Sequence, residues 1–241
     1  MRLAWAGLSV AALSGLALGS AGLGYRTGWW SLSTAFAIFR WAAYGGAAGA
    51  AIALAGAVMG LSNRRALAAG LVGAVVGSLV LAGPWRWQQT ARAVPRIHDI
   101  TTDLKNPPAF VAILPLRANA PNSAVHGGPA VAAAQRSGYP DLATAMLNLS
   151  AEQAFTKAEQ AARAMGWEIV STDRASGLIE ATETTRWFGF KDDVVVRVRA
   201  AAAGGSRVDV RSVSRVGGSD VGTNAKRIRE YLRRLRSQSE S

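Results

Sequence analysis

Three apolar stretches without a charged residue fill much of the first third of the chain. They cover residues 3–24, 41–61 and 66–83. An α-helix rises about 1.5 Å per residue, so about 20 residues cross a hydrocarbon core that is about 30 Å thick. The third stretch is only just long enough. The sequence therefore predicts three transmembrane helices at the start of the chain.

The first stretch also fits a cleaved signal peptide. Arg2, the apolar core and the small residues ALGSAG at 17–22 have the order found in secretory signals. The two later stretches favour a retained helix, because they need a helical partner to pack against.

Glycines four residues apart recur in all three stretches. Such spacing lets helix backbones approach closely in lipid, although glycine is also simply frequent in membrane helices. The pairs are Gly15/Gly19, Gly45/Gly49, Gly56/Gly60 and Gly73/Gly77.

The charges are distributed unevenly along the chain. Residues 1–94 contain seven arginines and no acidic residue, so all 15 aspartates and glutamates lie in the remainder. The net charge of +12 would suit a nucleic-acid-binding protein if the cations lay on one soluble face. The N-terminal cations instead flank apolar stretches, which predicts the lipid bilayer as a partner and no nucleic acid. Tryptophans, which prefer the headgroup layer, mark the same borders: Trp29, Trp30, Trp41, Trp85 and Trp87.

Positive residues beside the apolar stretches indicate the membrane orientation. The short turn containing Arg64 and Arg65, together with Arg2, places the amino terminus in the cytoplasm. The opposing set is larger, but three of its members precede a long domain, and long domains cross largely regardless of charge. We therefore expect a multi-pass protein of the cell inner membrane with a periplasmic soluble domain. The opposing residues are Arg26, Arg40, Arg86, Arg92 and Arg96.

Proline separates the apolar region from the rest. All eight prolines lie between residues 84 and 149, which excludes long helices there. Apolar residues such as Ile97, Phe110 and Ile113 are too frequent for a solvated linker. We predict an anchor at 1–85, a Pro-rich segment at 86–149 that packs on the soluble domain, and an α+β domain at 150–241.

The last ninety residues alternate between helical and strand patterns. Ser150-Ala-Glu-Gln153 has the pattern of a capping box and starts a helix. Four strand-like runs follow, with separators short enough for antiparallel hairpins, and a basic amphipathic helix ends the domain. The predicted fold class is α+β, with three N-terminal transmembrane helices followed by a four-stranded antiparallel sheet flanked by two helices. The runs are 167–172, 178–187, 193–201 and 207–216.

Alternation along the last two strands separates two faces of the sheet. The apolar face is expected to pack against the two helices. The charged face, with Glu180 as a cross-strand partner, fits either a solvated surface with weak ion pairs or an anion-binding surface. The apolar face carries Val194, Val196, Val198, Val208, Val210 and Val216, and the charged face carries Arg197, Arg199, Arg207, Asp209, Arg211 and Arg215.

The loop 217–224 leads from the last strand into the last helix. Free backbone N–H groups and the positive end of the helix dipole meet there beside Arg215, which predicts a site for a phosphate or carboxylate. The polar side chains of the loop would also serve as ordinary helix caps. Neither a Walker loop nor a Rossmann fingerprint is present. The predicted ligand-binding residues are Arg211, Arg215, Gly217, Ser219, Asp220, Gly222 and Asn224.

An aromatic turn joins the second and third strand-like runs. Its three rings predict a tip that dips into lipid or docks on a partner, although they would also plug the end of the core. Contact with the membrane or a partner is predicted for Trp187, Phe188, Phe190 and Lys191.

Candidates for catalysis and metal binding are few. The chain has no cysteine, which excludes disulfides, thiolate ligands and a cysteine nucleophile. His98, Asp99 and Asp103 fit the spacing of no zinc or calcium loop, so we predict no metal and no cofactor. A hydrolase or transferase that uses His98 with Asp99 or Asp220 is the alternative to a binding protein.

Three motifs resemble a single family. VPRIHDITTD at 94–103, TRWFGFKDDV at 185–194 and SRVGGSDVGTNAKRI at 214–228 occur in the order of the bacterial and plastid family called domain of unknown function 1499. The resemblance covers residues 94 to 238 and implies no settled activity. In the third motif it includes Ser214, Arg215, Val216, Gly217, Ser219, Asp220, Gly222 and Asn224.

These observations favour a membrane-anchored, non-enzymatic binding or scaffold module of the bacterial envelope. We expect it to recognise an anionic lipid, a metabolite or an envelope protein.

Overall fold

The computed structural model describes residues 1–239, which form two compact units. One unit contains Met1–Thr90 together with Arg186–Gly189, and is called the helical unit below. The other contains Ala91–Thr185 and the chain from Phe190 onward, and is called the sheet unit.

The helical unit is built from three long helices: α1 (Arg2–Arg26), α2 (Leu32–Met59) and α3 (Arg64–Ala93), whose last three residues belong to the sheet unit. All three are long and apolar enough to cross a membrane, which confirms the predicted number of helices. Side-chain oxygens cap two of them, since Ser31 accepts from the Thr34 N–H and Asn63 accepts from the Arg65 and Ala66 N–H groups.

The third helix continues ten residues beyond the apolar stretch that predicted it, with Pro84 inside the helix. Proline was expected to end the helix there, because it removes one hydrogen-bond donor. Helices in lipid tolerate proline when neighbouring groups satisfy the freed carbonyl.

Small residues bring the helices into backbone contact. A Cβ atom on Gly49 of α2 would lie 2.6 Å from the Ala11 nitrogen of α1, and one on Gly77 of α3 would lie 2.3 Å from the Gly46 oxygen. Gly19, in contrast, has no neighbouring atom within 4 Å of such a Cβ. Seven of the eight predicted glycines therefore lie at close contacts, and Gly19 does not.

The sheet unit contains six antiparallel strands, so the predicted number of four was wrong. The strands are β1 (Asp99–Thr101), β2 (Ala145–Leu147), β3 (Glu168–Asp173), β4 (Leu178–Thr184), β5 (Lys191–Ala200) and β6 (Ser206–Ser214). Their order is β1-β6-β5-β4-β3, and β2 also pairs with β6. The two missed strands come from the Pro-rich segment and have three residues each, too few to show a period of two.

Three α-helices accompany the sheet: α4 (Gly128–Gly138), α5 (Ala151–Ala164) and α6 (Thr223–Ser239). The capping box at Ser150 and Gln153 begins α5 as predicted. The helix α4 was not expected in a Pro-rich segment, but Pro129 lies in its first turn, where the missing N–H costs nothing.

The apolar face of the sheet packs against α5 and α6. Val196 stands opposite Val210 in the register of β5 and β6, and both belong to the main core. The Trp167 ring stacks on Tyr231 of α6 with centroids 5.1 Å apart, and the Tyr231 hydroxyl donates to the Ala158 oxygen of α5. The core contains five of the six valines predicted for this face: Val194, Val196, Val198, Val208 and Val210. The sixth, Val216, lies after the end of β6 and outside this core.

Candidate functional site

The charged face of the sheet is covered by the Pro-rich segment. Phe110 and Ile113 of that segment pack on Val195 and Val213 and form a second small core. Glu180 lies beneath it, and its carboxylate accepts the backbone N–H groups of residues 111–113. The sequence predicted Glu180 as a cross-strand partner of the charged residues. In the structure it instead holds the covering segment in place.

Two arginines of this face are paired beneath the cover. Arg197 contacts Asp209 at 2.9 Å and Asp103 at 3.0 Å, and its side chain is 5% exposed. Arg211 binds Asp99 through Nε and Nη2 at 2.9 and 2.8 Å. The remaining Arg211 contacts are the carbonyl oxygens of Pro108 and Ala124. Arg197 and Arg211 are therefore shielded from solvent, whereas Arg199 on the same face is exposed.

Asp193 is the most heavily engaged carboxylate of the face. It accepts hydrogen bonds from Arg117 at 2.5 Å, from Thr182 at 2.7 Å and from both Nε and Nη2 of Arg215 at 2.8 Å. Burial alone would raise the pKa of this fully buried carboxyl, but the hydrogen bonds from Arg215, Thr182 and Arg117 outweigh burial and lower it. The sequence missed Arg117, which lies in the Pro-rich segment with no recognisable pattern around it.

Arg215 is the centre of the predicted anion site, and its Nε and Nη2 groups both donate to Asp193. Its third nitrogen donates to the Leu116 oxygen at 3.0 Å, and the side chain is 15% exposed. The hydrogen bonds to Asp193 raise the pKa of Arg215 further above its usual value. An incoming anion would have to displace a carboxylate, so the predicted anion site stays a prediction.

The loop 217–224 supplies its own caps for α6. Gly217 and Gly222 have φ angles of 93° and 80°, which favour glycine. Ser219 Oγ accepts the Val221 N–H, and Asp220 accepts the N–H groups of Gly222 and Asn224 at 2.9 and 2.7 Å. Burial raises the pKa of Asp220, against the lowering effect of these two hydrogen bonds. Asp220 therefore caps the start of α6, whereas Ser219 accepts from Val221, which precedes the helix.

A second buried network joins α6 to the apolar side of the sheet. Arg227 binds Asp192 at 2.6 Å, contacts Glu183, and donates to Ser212 at 3.0 Å. The neighbouring Asn224 donates to the Ser214 hydroxyl and to the His98 main-chain oxygen. Asp192 lies two residues before Val194 and therefore points to the same face of the sheet as the core valines. An acidic residue on that buried face indicates that a cation must pair with it.

The alternative hydrolase arrangement is not assembled around His98. Among residues 1–239, the His98 imidazole makes no hydrogen bond to a serine or an aspartate. Asp99 is held by Arg211, and Asp103 by Arg197 and Arg207. The hydrolase or transferase alternative stays a prediction.

Two residues of the predicted aromatic tip pack inside the helical unit. The Trp187 Nε1 group donates to the Gly19 oxygen of α1 at 3.1 Å, and its ring occupies the space where Gly22 lacks a side chain. The Phe188 ring stacks on Phe36 of α2 with centroids 5.8 Å apart. The other two predicted residues lie in the sheet unit, where the Phe190 N–H donates to Thr185 and Lys191 begins β5.

A groove of about 640 Å³ lies between α2 and α3 within the helical unit. Trp87 forms its aromatic centre, with ring centroids 5.9 Å from Phe36 and 5.8 Å from Phe39. Arg40 is the only charged residue of the lining, so a single cation faces a largely apolar groove. The sequence predicted that Trp85 and Trp87 lie at the membrane border. It could not show that they line a groove together with residues of α2. The lining is Ser33, Phe36, Ala37, Phe39, Arg40, Ala43, Tyr44, Leu81, Pro84, Trp85, Trp87 and Gln88.

Comparison with protein families gives one match. The model of a protein family of unknown function (DUF1499) matches residues 99–235, more than half of the chain. The chain belongs to this family. A sequence comparison with curated proteins finds no match.

The DUF1499 match confirms the resemblance seen in the three motifs and covers most of the sheet unit together with residues 186–189 of the helical unit. It begins at Asp99, the partner of Arg211, and includes Asp193, Arg215 and Arg227. The three apolar helices and the groove between α2 and α3 precede the matched residues. The ion-pair system described above is thus built wholly from the DUF1499 part of the chain.

Proposed function

We propose that the protein is a membrane-anchored, non-enzymatic binding module of the bacterial envelope that recognises an anionic lipid. In this proposal residues 1–85 are the anchor, residues 86–149 cover the soluble domain, and residues 150–241 form that domain. The protein lies in the cell inner membrane with its soluble domain in the periplasm.

The observation that carries the proposal is an imbalance of charge in the helical unit. This unit contains no aspartate or glutamate, and none of its guanidinium groups forms an ion pair among residues 1–239. Arginines of the sheet unit, in contrast, bind carboxylates at 2.5 to 3.3 Å. The cations of the helical unit are Arg2, Arg26, Arg40, Arg64, Arg65, Arg86 and Arg186.

In this proposal the unpaired arginines of the helical unit bind the headgroup phosphates of membrane lipids. A basic residue near an anionic leaflet contributes about 1 kcal/mol of attraction, and a guanidinium binds a phosphate through two parallel hydrogen bonds. The sheet unit pairs many of its arginines with its own carboxylates, whereas the helical unit has no carboxylate to pair with its cations.

Lipid retention tests this function. The full chain is reconstituted in vesicles of equal phosphatidylglycerol and phosphatidylethanolamine, extracted in mild detergent, and its bound lipids are quantified by mass spectrometry. We expect phosphatidylglycerol to be enriched among the bound lipids. Retention in the proportions of the vesicle would refute anionic-lipid recognition.

A further inference from the structure

We infer that the groove between α2 and α3 binds one anionic phospholipid, with the lipid phosphate on Arg40, the headgroup beside the aromatic rings and an acyl chain along Ala43, Tyr44 and Leu81. This inference rests on the proposed function and adds to it a location and a ligand geometry.

The position of Arg40 matches the headgroup layer. Arg40 directly precedes the charge-free stretch 41–61, eight residues after the start of α2 at Leu32, or about 12 Å along the helix axis. Trp41 and Trp85 are largely exposed beside it, as expected for indoles at the border of the hydrocarbon. A guanidinium at this depth meets lipid phosphates and not acyl chains.

The groove has room for a lipid headgroup and the first part of an acyl chain. Its volume of about 640 Å³ falls in the range of roughly 300–1,000 Å³ that is usual for small-molecule sites. Aromatic and aliphatic side chains form most of its lining, and Leu81 and Tyr44 are exposed along it. Ala43, Tyr44 and Leu81 belong to the charge-free stretches 41–61 and 66–83, so an acyl chain would leave the groove along them while the headgroup stays at the level of Arg40.

The aromatic wall of the groove is preorganised. Phe36 stacks on Phe188, and Phe39 packs against Trp187 with centroids 5.9 Å apart. Because Trp87 contacts both Phe36 and Phe39, these rings hold one another in place. A groove that exists before the ligand arrives loses little ordering entropy on binding.

The charge of the lining selects an anionic headgroup. Arg40 forms no ion pair among the described residues, so its guanidinium is available to a phosphate. The helical unit also has no carboxylate that could receive the ammonium group of a zwitterionic headgroup. Phosphatidylglycerol satisfies both conditions, and phosphatidylethanolamine satisfies only the first.

The test compares Arg40→Gln with Arg86→Gln in the full chain, using the same vesicles and the same lipid analysis. Both variants lose one positive charge at an exposed position, but Arg86 does not line the groove. We expect Arg40→Gln to lower retained phosphatidylglycerol about tenfold, the effect of one lost charge-assisted hydrogen bond, and Arg86→Gln to leave it unchanged. Native mass spectrometry should show one tightly held lipid on the wild type.

A third variant tests the groove without changing its charge. Leu81→Trp places a larger apolar side chain at a lining position that already faces outward, and it should lower the retention of the single lipid while Arg40 is intact.

Each result separates the site from the function. A wild type without enrichment of phosphatidylglycerol overturns the proposed function together with the site. Enrichment that survives Arg40→Gln, or that falls equally in Arg86→Gln, leaves the function standing and overturns the groove. Retention unaffected by Leu81→Trp likewise places the lipid elsewhere.

Discussion

At the scale of single residues, the stability of the sheet unit depends on buried charges whose hydrogen-bond partners are held in place. Asp193 is fully buried and accepts hydrogen bonds from two guanidinium groups and one hydroxyl. Removing one partner of a buried pair is costly because the remaining charge keeps its desolvation penalty without compensation. At an exposed pair, water replaces the lost partner and the cost is small.

Asp193→Asn should therefore destabilise the protein strongly. The substitution leaves Arg117 and Arg215 without a buried counter-charge, which costs about 3–5 kcal/mol and lowers the melting temperature by roughly 10 °C. The matched control is Asp141→Asn, which breaks the exposed pair with Arg229 and should cost less than about 1 kcal/mol. Thermal unfolding of the detergent-solubilised chain measures both, and equal effects would contradict the structure.

Arg215→Lys separates a structural role from an anion site. Lysine keeps the charge, but it cannot supply the two parallel hydrogen bonds to Asp193 together with the one to the Leu116 oxygen. We expect a loss of about 2 kcal/mol in the same unfolding experiment. Arg229→Lys is the control, since Arg229 makes the same bidentate contact with Asp141 at the surface. An unchanged melting temperature for Arg215→Lys would instead favour the anion site predicted from the sequence.

Asp220 should make stability depend on pH in the direction opposite to an ordinary paired carboxylate. Because its pKa in the folded state is raised by burial, the folded protein holds a proton where the unfolded chain has lost it. Its contribution to stability is therefore greatest below pH 3.8, the ordinary pKa of an aspartate, and falls as the pH rises through the raised pKa.

The measurement compares wild type with Asp220→Asn between about pH 3 and pH 7. Asparagine retains one oxygen for capping α6 and carries no charge. The wild type should lose stability relative to the variant as the pH rises. A difference that is flat, or that grows in favour of the wild type, would show that Asp220 is not desolvated as the structure describes.

At the scale of elements, the helices of the helical unit depend on how closely their backbones approach. Little hydrophobic driving force acts between helices in lipid, so packing of small residues has to supply the association. The structure distinguishes glycines that touch a neighbouring backbone from glycines that face open space, although both occur in the same sequence pattern.

Gly49→Ala should destabilise the helical unit, and Gly19→Ala should not. A methyl group on Gly49 would lie 2.6 Å from the Ala11 nitrogen and force α1 and α2 apart, at a cost of about 1–3 kcal/mol. A methyl group on Gly19 meets nothing within 4 Å. Thermal unfolding in detergent measures the difference, and equal melting temperatures would argue against the contact between α1 and α2.

At the scale of the whole molecule, three spans place the two ends of the helical region on opposite sides of a membrane. The proposed orientation depends on Arg64 and Arg65 in the turn between α2 and α3. Since the sheet unit follows the third span, its compartment is decided by that turn.

A reporter fused after Ser241 should therefore behave as periplasmic, with active alkaline phosphatase. A fusion of alkaline phosphatase after Asn63, in the turn before α3, is the control. It should be inactive, because that turn is expected in the cytoplasm. The opposite pattern of activities would place the soluble domain in the cytoplasm.

The sequence by itself determined the features that depend on neighbours along the chain. Charge-free stretches predicted three long helices, the Ser150 and Gln153 pattern predicted the start of α5, and alternation assigned the valines of β5 and β6 to one face. These signals are local, because helical and strand periods repeat within a few residues. The class α+β followed from their order.

Only the tertiary structure decided which groups meet across the fold. Asp99 and Arg211 are 112 positions apart, and Arg117 reaches Asp193 from a segment whose pattern indicated neither a strand nor a binding role. The sequence predicted a charged face that is either solvated or open to anions. Alternation shows to which face side chains point, but it does not show what covers that face. The groove is likewise formed by residues from two helices, such as Arg40 and Trp87, which lie far apart in the sequence. No spacing within either helix reveals it.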